Sequence, residues 1–151
     1  MKKNISMVDI TNKQQTLRKA VAKGRIYFSK KVYELIKNNE IPKGDVLSVA
    51  QVAGVLAAKN VSHIIPLTHP INITYCRVTP SLGVANKKYY CDVITEVQVE
   101  GKTGPDIEAL FACVVSLVTI YDMIKQFCPE AKIDDVKLIS KSGGKTNFLR
   151  K

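Results

Sequence analysis

The chain is short of acid. Thirteen aspartates and glutamates face 23 lysines and arginines among 151 residues, a formal charge of +10. Such an excess favours an anionic partner: nucleic acid, an acidic membrane face or a phosphorylated small molecule. Charge alone does not choose among them. The four cysteines (Cys76, Cys91, Cys113, Cys128) form no CxxC pair, and the two histidines form no HExxH. That pattern argues against a zinc site or a disulfide framework and for a reduced, cytosolic setting. No apolar stretch reaches bilayer length; the longest, Ala109 to Tyr121, is bracketed by Glu108 and Asp122. The N-terminal MKKNISMVDI is basic without the apolar run of a secretory signal. Repeats, low-complexity tracts and linkers are also missing. One domain over 1–151 is expected, with ends 1–15 and 142–151 loosely held.

What is present reads as a globular α+β chain, 46% hydrophobic and 24% charged. Thr16 to Phe28 is ambiguous, its second half RIYF leaning towards strand. Ser29 can cap a helix to about Asn39, with Val32, Leu35 and Ile36 on one face. Pro42-Lys43-Gly44 breaks the chain, and Asp45 can cap a second helix to about Lys59. INITYCRV then predicts a strand, with Lys87 to Glu100 as its antiparallel neighbour and TPSLGVAN as the loop between. Pro105 suits the first turn of a long helix to about Phe127, which Pro129 ends before a last strand, KIDDVKLIS. This order is the split βαβ pattern of ferredoxin-like folds: an antiparallel sheet with helices packed on one face.

Chemistry-bearing residues are spread widely. In PLTHP, Pro66 to Pro70, two rigid residues bracket His69; it is either a plain corner or a means of aiming the imidazole. The long helix is apolar on every side from Ala109 to Ile120 and should be buried all round, in its own core or against another chain. Glu108 and Asp122 flank that block on one face, fourteen residues and ~40° short of four turns apart, yet separated by roughly 21 Å. They cannot act on one bond from one helix. Either they mark the ends of an extended ligand, or each is completed by a second subunit, or both are merely the wet ends of a core helix. Lys125 follows Asp122 at i+3, giving a surface ion pair or an acid–base couple. KSGGK, Lys141 to Lys145, offers two amines around a Gly-Gly pair that could form an anion nest, or else a flexible basic tail; it fails as a P-loop. Lys43 and Lys59 flank the second helix, where a lysine often only favours the dipole.

Together the segments closely resemble the cyclic pyranopterin monophosphate synthase family of molybdenum cofactor biosynthesis. The matching stretches are MVDIT (Met7 to Thr11), KGDV (Lys43 to Val46), AAK ending at Lys59 and IIPLTHP (Ile64 to Pro70). GKTGPDIEAL (Gly101 to Leu110), TIYDMIK (Thr119 to Lys125) and KSGGK complete the set. The resemblance implies a ferredoxin-like protomer, dimers assembled into a hexamer, and sites at subunit interfaces. It implies a lyase that rearranges 3′,8-cyclo-7,8-dihydro-GTP, made by an upstream radical enzyme, to cyclic pyranopterin monophosphate with release of pyrophosphate. It places substrate binding on Leu67, Thr68, His69, Ile107 and Glu108, and basic pocket residues on Lys43, Lys59, Lys141 and Lys145. Arg18 and Asp9 match too. Asp122 is implied as the active-site acid, and Lys125 as a general acid or base. No resident cofactor or protein-bound metal is expected, though a divalent cation could accompany the triphosphate. Three departures stand out: Thr68 where many relatives have cysteine, Asp106 in place of glutamate, and Pro105 in place of an apolar residue. The competing readings are a basic ferredoxin-like RNA-binding module and a phosphate-ligand sensor without activity. Against RNA binding, KYYCDVITEVQV lacks the basic-Gly-aromatic signature and carries Asp92, Glu96 and Glu100.

Overall fold

The computed structural model describes residues 2–151. Strand β1 (Thr16–Phe28) leads to helices α1 (Lys30–Lys37), α2 (Val46–Lys59) and α3 (Val61–Ile64). The hairpin β2 (Ile73–Ala85) and β3 (Lys88–Gly101) follows, then α4 (Asp106–Ile124), β4 (Lys132–Ser142) and the short β5 (Phe148–Leu149). All strands join one antiparallel sheet in the order β2-β3-β1-β4-β5. The fold is the expected α+β ferredoxin-like arrangement, with helices packed on the sheet.

Strand alternation decides which face is covered. Ala20, Ala22, Gly24, Ile26 and Phe28 of β1 are buried, as are Cys91, Val93, Thr95, Val97 and Val99 of β3. Each large apolar side chain so placed contributes roughly 1.5–3 kcal/mol. The intervening residues make a polar outer face. There Arg25 grips Asp92 at 2.6 and 2.9 Å and lies 3.6 Å from the centre of the Tyr90 ring. Lys19 pairs with Glu96 at 2.9 Å.

Close packing sets where α4 starts and ends. A Cβ at Gly24 would come within 2.6 Å of Leu117, so the bare strand lets α4 settle onto β1. Gly54 likewise lets α2 approach α4 beside Ser116. The buried Ser116 hydroxyl donates to the Ala50 carbonyl at 2.9 Å, which satisfies it. Thr95 donates to the Ala109 carbonyl at 2.7 Å and ties the first turn of α4 to the sheet. The expected caps are in place. Ser29 accepts from Val32 N–H, and Asp45 accepts from the N–H groups of Leu47 and Ser48.

Four expectations change. All of Thr16–Phe28 is strand, because pairing with both β3 and β4 overrides its mixed propensity. TPSLGVAN is not a loop: β2 continues to Ala85, and the turn is only Asn86-Lys87, at φ 49° and 61°. Two positive-φ residues match the twist of a tight hairpin. Pro80 is tolerated because β2 is an edge strand. Helix α4 ends at Ile124 rather than near Phe127, and within its own chain it leaves Val114 and Val118 37% and 50% exposed, so its own core alone does not bury it all round. At 19 residues it is also long and apolar enough to cross a membrane, but its inner face, Ala109, Ala112, Cys113, Leu117 and Ile120, packs in the core. Finally, Phe148–Leu149 pairs with Ser140 and Lys141 of β4, which ties part of the C-terminal end to the sheet.

Candidate active site

Two hollows meet at the N-terminal end of α4. The larger, about 740 Å³, is walled by Arg18, Lys141 and Lys145 together with Asp9, Gly143 and Gly144. The smaller, about 250 Å³, is lined by Leu67, Thr68, His69, Ile107 and Glu108. Lys13, Thr103, Gly104 and Asp106 border both. Residues from five places in the sequence thus converge on one end of one helix.

Local chemistry explains each placement. Arg18 Nε donates to the Gly101 carbonyl at 2.9 Å, holding the guanidinium at the sheet end. Gly143 has φ 88°, and a Cβ there would strike the backbone oxygen of Leu17. Its carbonyl accepts from the Thr16 hydroxyl at 2.7 Å, so KSGGK lies against the start of β1. Lys141 Nζ stands 3.2 Å from Asp106 Oδ2. In PLTHP the Thr68 hydroxyl donates to the Ile65 carbonyl at 2.8 Å and closes the corner before His69. That bond gives the Thr68 side chain a backbone-holding task. Within the N-terminal segment Asp9 accepts from Thr11 N–H and hydroxyl at 2.8 and 2.6 Å, and Lys102 Nζ donates to the Thr11 carbonyl at 2.8 Å, tying the segment down. The two bonds from Thr11 hold the Asp9 carboxyl below its usual range, with His69 and Lys102 adding to the effect.

Glu108 is the unusual group. Only 4% of it is exposed, and burial pushes its carboxyl up to about 7; its own backbone N–H opposes this and nearby Asp106 reinforces it. A carboxyl poised there can hold or release a proton at neutral pH.

The other end of α4 carries a separate cluster. Asp122 accepts from Lys43 at 2.8 Å and from Lys125 at 2.9 Å. Lys43, then Lys125, pull its carboxyl down to about 2, and Asp122 in turn raises the Lys125 ammonium. All three side chains are about half exposed. Within a single chain the couple is therefore fully charged at neutral pH. The pair sits some 21 Å along the helix from Glu108 by its rise. Lys59 joins neither cluster; it lines a groove of about 480 Å³ between α2 and β2, beside Arg77 and Leu56.

Sequence reasoning passed over Lys13, since it lies in a segment read as a loose end, and gave Asp106 no role. The only sequence signal for either was proximity to MVDIT and GPDIE. Among the described residues, no group of three His, Cys, Asp or Glu side chains is placed to hold a metal ion.

Comparison with known proteins places this geometry in a lineage. The model of the MoaC family matches residues 7–144. The chain belongs to the MoaC family. A protein of Thermoanaerobacter sp. (strain X514) named cyclic pyranopterin monophosphate synthase is 46% identical over 145 residues, 96% of this chain and 90% of that one. A protein of the same name from Clostridium acetobutylicum is 42% identical over 140 residues, 93% of this chain and 86% of that one. The molybdenum cofactor biosynthesis protein moc-5 of Caenorhabditis elegans is 39% identical over 145 residues, 96% of this chain but 24% of that longer one. The MoaC match takes in both ends of α4, the smaller hollow, and the larger one apart from Lys145 and Thr146.

Proposed function

We propose that this MoaC chain converts 3′,8-cyclo-7,8-dihydro-GTP to cyclic pyranopterin monophosphate and pyrophosphate, acting as a phosphorus–oxygen lyase of molybdenum cofactor biosynthesis. The observation that carries the reading is the paired hollow. A basic chamber suited to a triphosphate opens beside a smaller one that holds His69 and a carboxyl titrating near 7. The names of the relatives agree with it.

In this reading Arg18, Lys141 and Lys145 hold phosphate oxygens, a divalent cation accompanying them as part of the substrate. Leu67, Thr68, His69, Ile107 and Glu108 surround the rearranging ring. A sugar hydroxyl oxygen attacks the α-phosphorus. The new P–O bond forms as the bond to pyrophosphate breaks, and the hydroxyl proton passes to a base. Cationic side chains stabilise the charge that gathers on the departing pyrophosphate. Glu108 is placed to exchange protons during ring opening and closure. Lys125, tuned by Asp122, is the second proton carrier once water is excluded from it.

That exclusion requires a second copy. The Lys43–Asp122–Lys125 end of one protomer completes the Glu108 end of another, with Lys59 on the shared wall, in dimers that build a hexamer. The exposed Val114 and Val118 on α4 and Val52 and Leu56 on α2 suit such contacts. The upstream partner is the radical enzyme that makes the substrate; neither nucleic acid nor a membrane takes part. A cytoplasmic setting suits the four free thiols. The RNA-binding alternative is disfavoured because Asp92 and Glu96 occupy the outer sheet face.

The deciding experiment supplies the purified protein with the cyclised GTP intermediate and follows pyrophosphate and pterin. Stoichiometric release of both is expected; tight binding without release would leave a ligand sensor instead.

A further inference from the structure

Asp106 stands at the wall between the two hollows, on the first turn of α4, two residues before Glu108. Its carboxylate is paired with Lys141, 3.2 Å away and partly buried. Lys141 is also one of the cations of the basic hollow. One ammonium therefore serves the Asp106 carboxylate and also lines the hollow proposed to take the phosphates. It cannot fully neutralise both.

We propose that the Asp106–Lys141 pair is a displaceable switch: a polyphosphate draws Lys141 away from Asp106, and the released carboxylate keeps Glu108 protonated for as long as the phosphates stay bound. This rests on the proposed function for its consequence, since a protonated Glu108 is then ready to give up its proton while the substrate is present. When pyrophosphate leaves, Lys141 returns to Asp106 and Glu108 is free to ionise.

The physical basis is the balance of charge around one buried group. Glu108 shares the smaller hollow with Asp106 of its own helix, with His69 from the corner after α3, and with Lys13 from the N-terminal segment. Of these only Asp106 is an anion, and only Asp106 has its countercharge in the neighbouring hollow. Losing that countercharge leaves the Asp106 charge uncompensated near a buried carboxyl, which favours that carboxyl's neutral form. Asp106 acts through Glu108 and through Lys141, so it is a positioning residue.

The test uses inorganic pyrophosphate and carbon-13 NMR of the glutamate carboxyls in the full-length protein, with Glu108→Gln assigning the signal. Pyrophosphate should raise the titration midpoint of Glu108 by about one unit, roughly tenfold in its acid dissociation constant. Lys141→Gln should show the raised midpoint without any anion. Asp106→Asn should bind pyrophosphate at least as well, because Lys141 is set free, yet show no rise. If the rise persists in Asp106→Asn, the bound phosphate itself is responsible and the switch is overturned. An unchanged midpoint in the wild type, or failure of pyrophosphate to bind, overturns it equally. None of these readings needs turnover, so a protein inactive on the cyclised nucleotide would sink the proposed function and leave the switch standing.

Discussion

Glu108 and Asp122 are carboxylates on one helix whose surroundings drive them apart: burial lifts the first to about 7, while Lys43 and Lys125 hold the second near 2. The separation makes their tasks different. Near neutrality Glu108 can change its protonation state, whereas Asp122 is a fixed charge that anchors two lysines.

Glu108 makes stability depend on pH in the direction opposite to a surface carboxylate. The folded chain keeps a proton that the unfolded chain releases at about 4.5, so stability falls as pH rises from there to about 7. Glu108→Gln should therefore be more stable than wild type at pH 8, by on the order of 2–3 kcal/mol, and equal to it at pH 4. Urea unfolding at the two values checks this. An equal effect at both would show that Glu108 is not held neutral by burial.

Asp122→Asn and Lys125→Ala should each lower pyrophosphate release by about 100-fold or more, the scale of a lost acid–base or charge-anchoring group. Because these side chains are half exposed within the protomer, its own fold should lose little stability and thermal midpoints should hardly move. Rates within twofold of wild type would remove the couple from the reaction.

The proposed sharing of sites between copies makes a prediction that mixed assemblies can check. Lys125→Ala and His69→Ala chains, each inactive alone, should regain turnover when assembled together, because some interfaces then receive an intact half from each. Chains carrying both changes should restore nothing when mixed with either. The readout is pterin formation by refolded mixtures against the unmixed controls.

Gly143 lies at φ 88° against the Leu17 carbonyl, so Gly143→Ala must push the KSGGK strap off β1. A cost of about 1–3 kcal/mol is expected from the backbone alone. The displaced Lys141 and Lys145 should weaken pyrophosphate binding, measurable by calorimetry. Gly144→Ala, free of positive φ, should do far less.

Much of the fold could be read along the chain because local rules and packing agree there. Ser29 and Asp45 cap the helices they were expected to cap, and the alternation in β3 names its buried face. The reading failed where tertiary placement redefines a residue. Pro80 and Gly83 look like turn residues until β2 is known to be an edge strand. Thr16 to Ala20 looks undecided until β3 pairs with all of it and β4 with Lys19 and Ala20.

By itself the sequence determined the basic excess, the order of the main elements, and the family motifs, since all of these are carried by residue type and short-range spacing. Only the tertiary structure decided that Lys13 and Asp106 share a hollow with Glu108 while Lys141 pairs with Asp106 from the neighbouring one, and that Asp122 is held at the far end of the same helix. Burial and countercharge arise between residues distant in the chain, and they set how each carboxyl behaves.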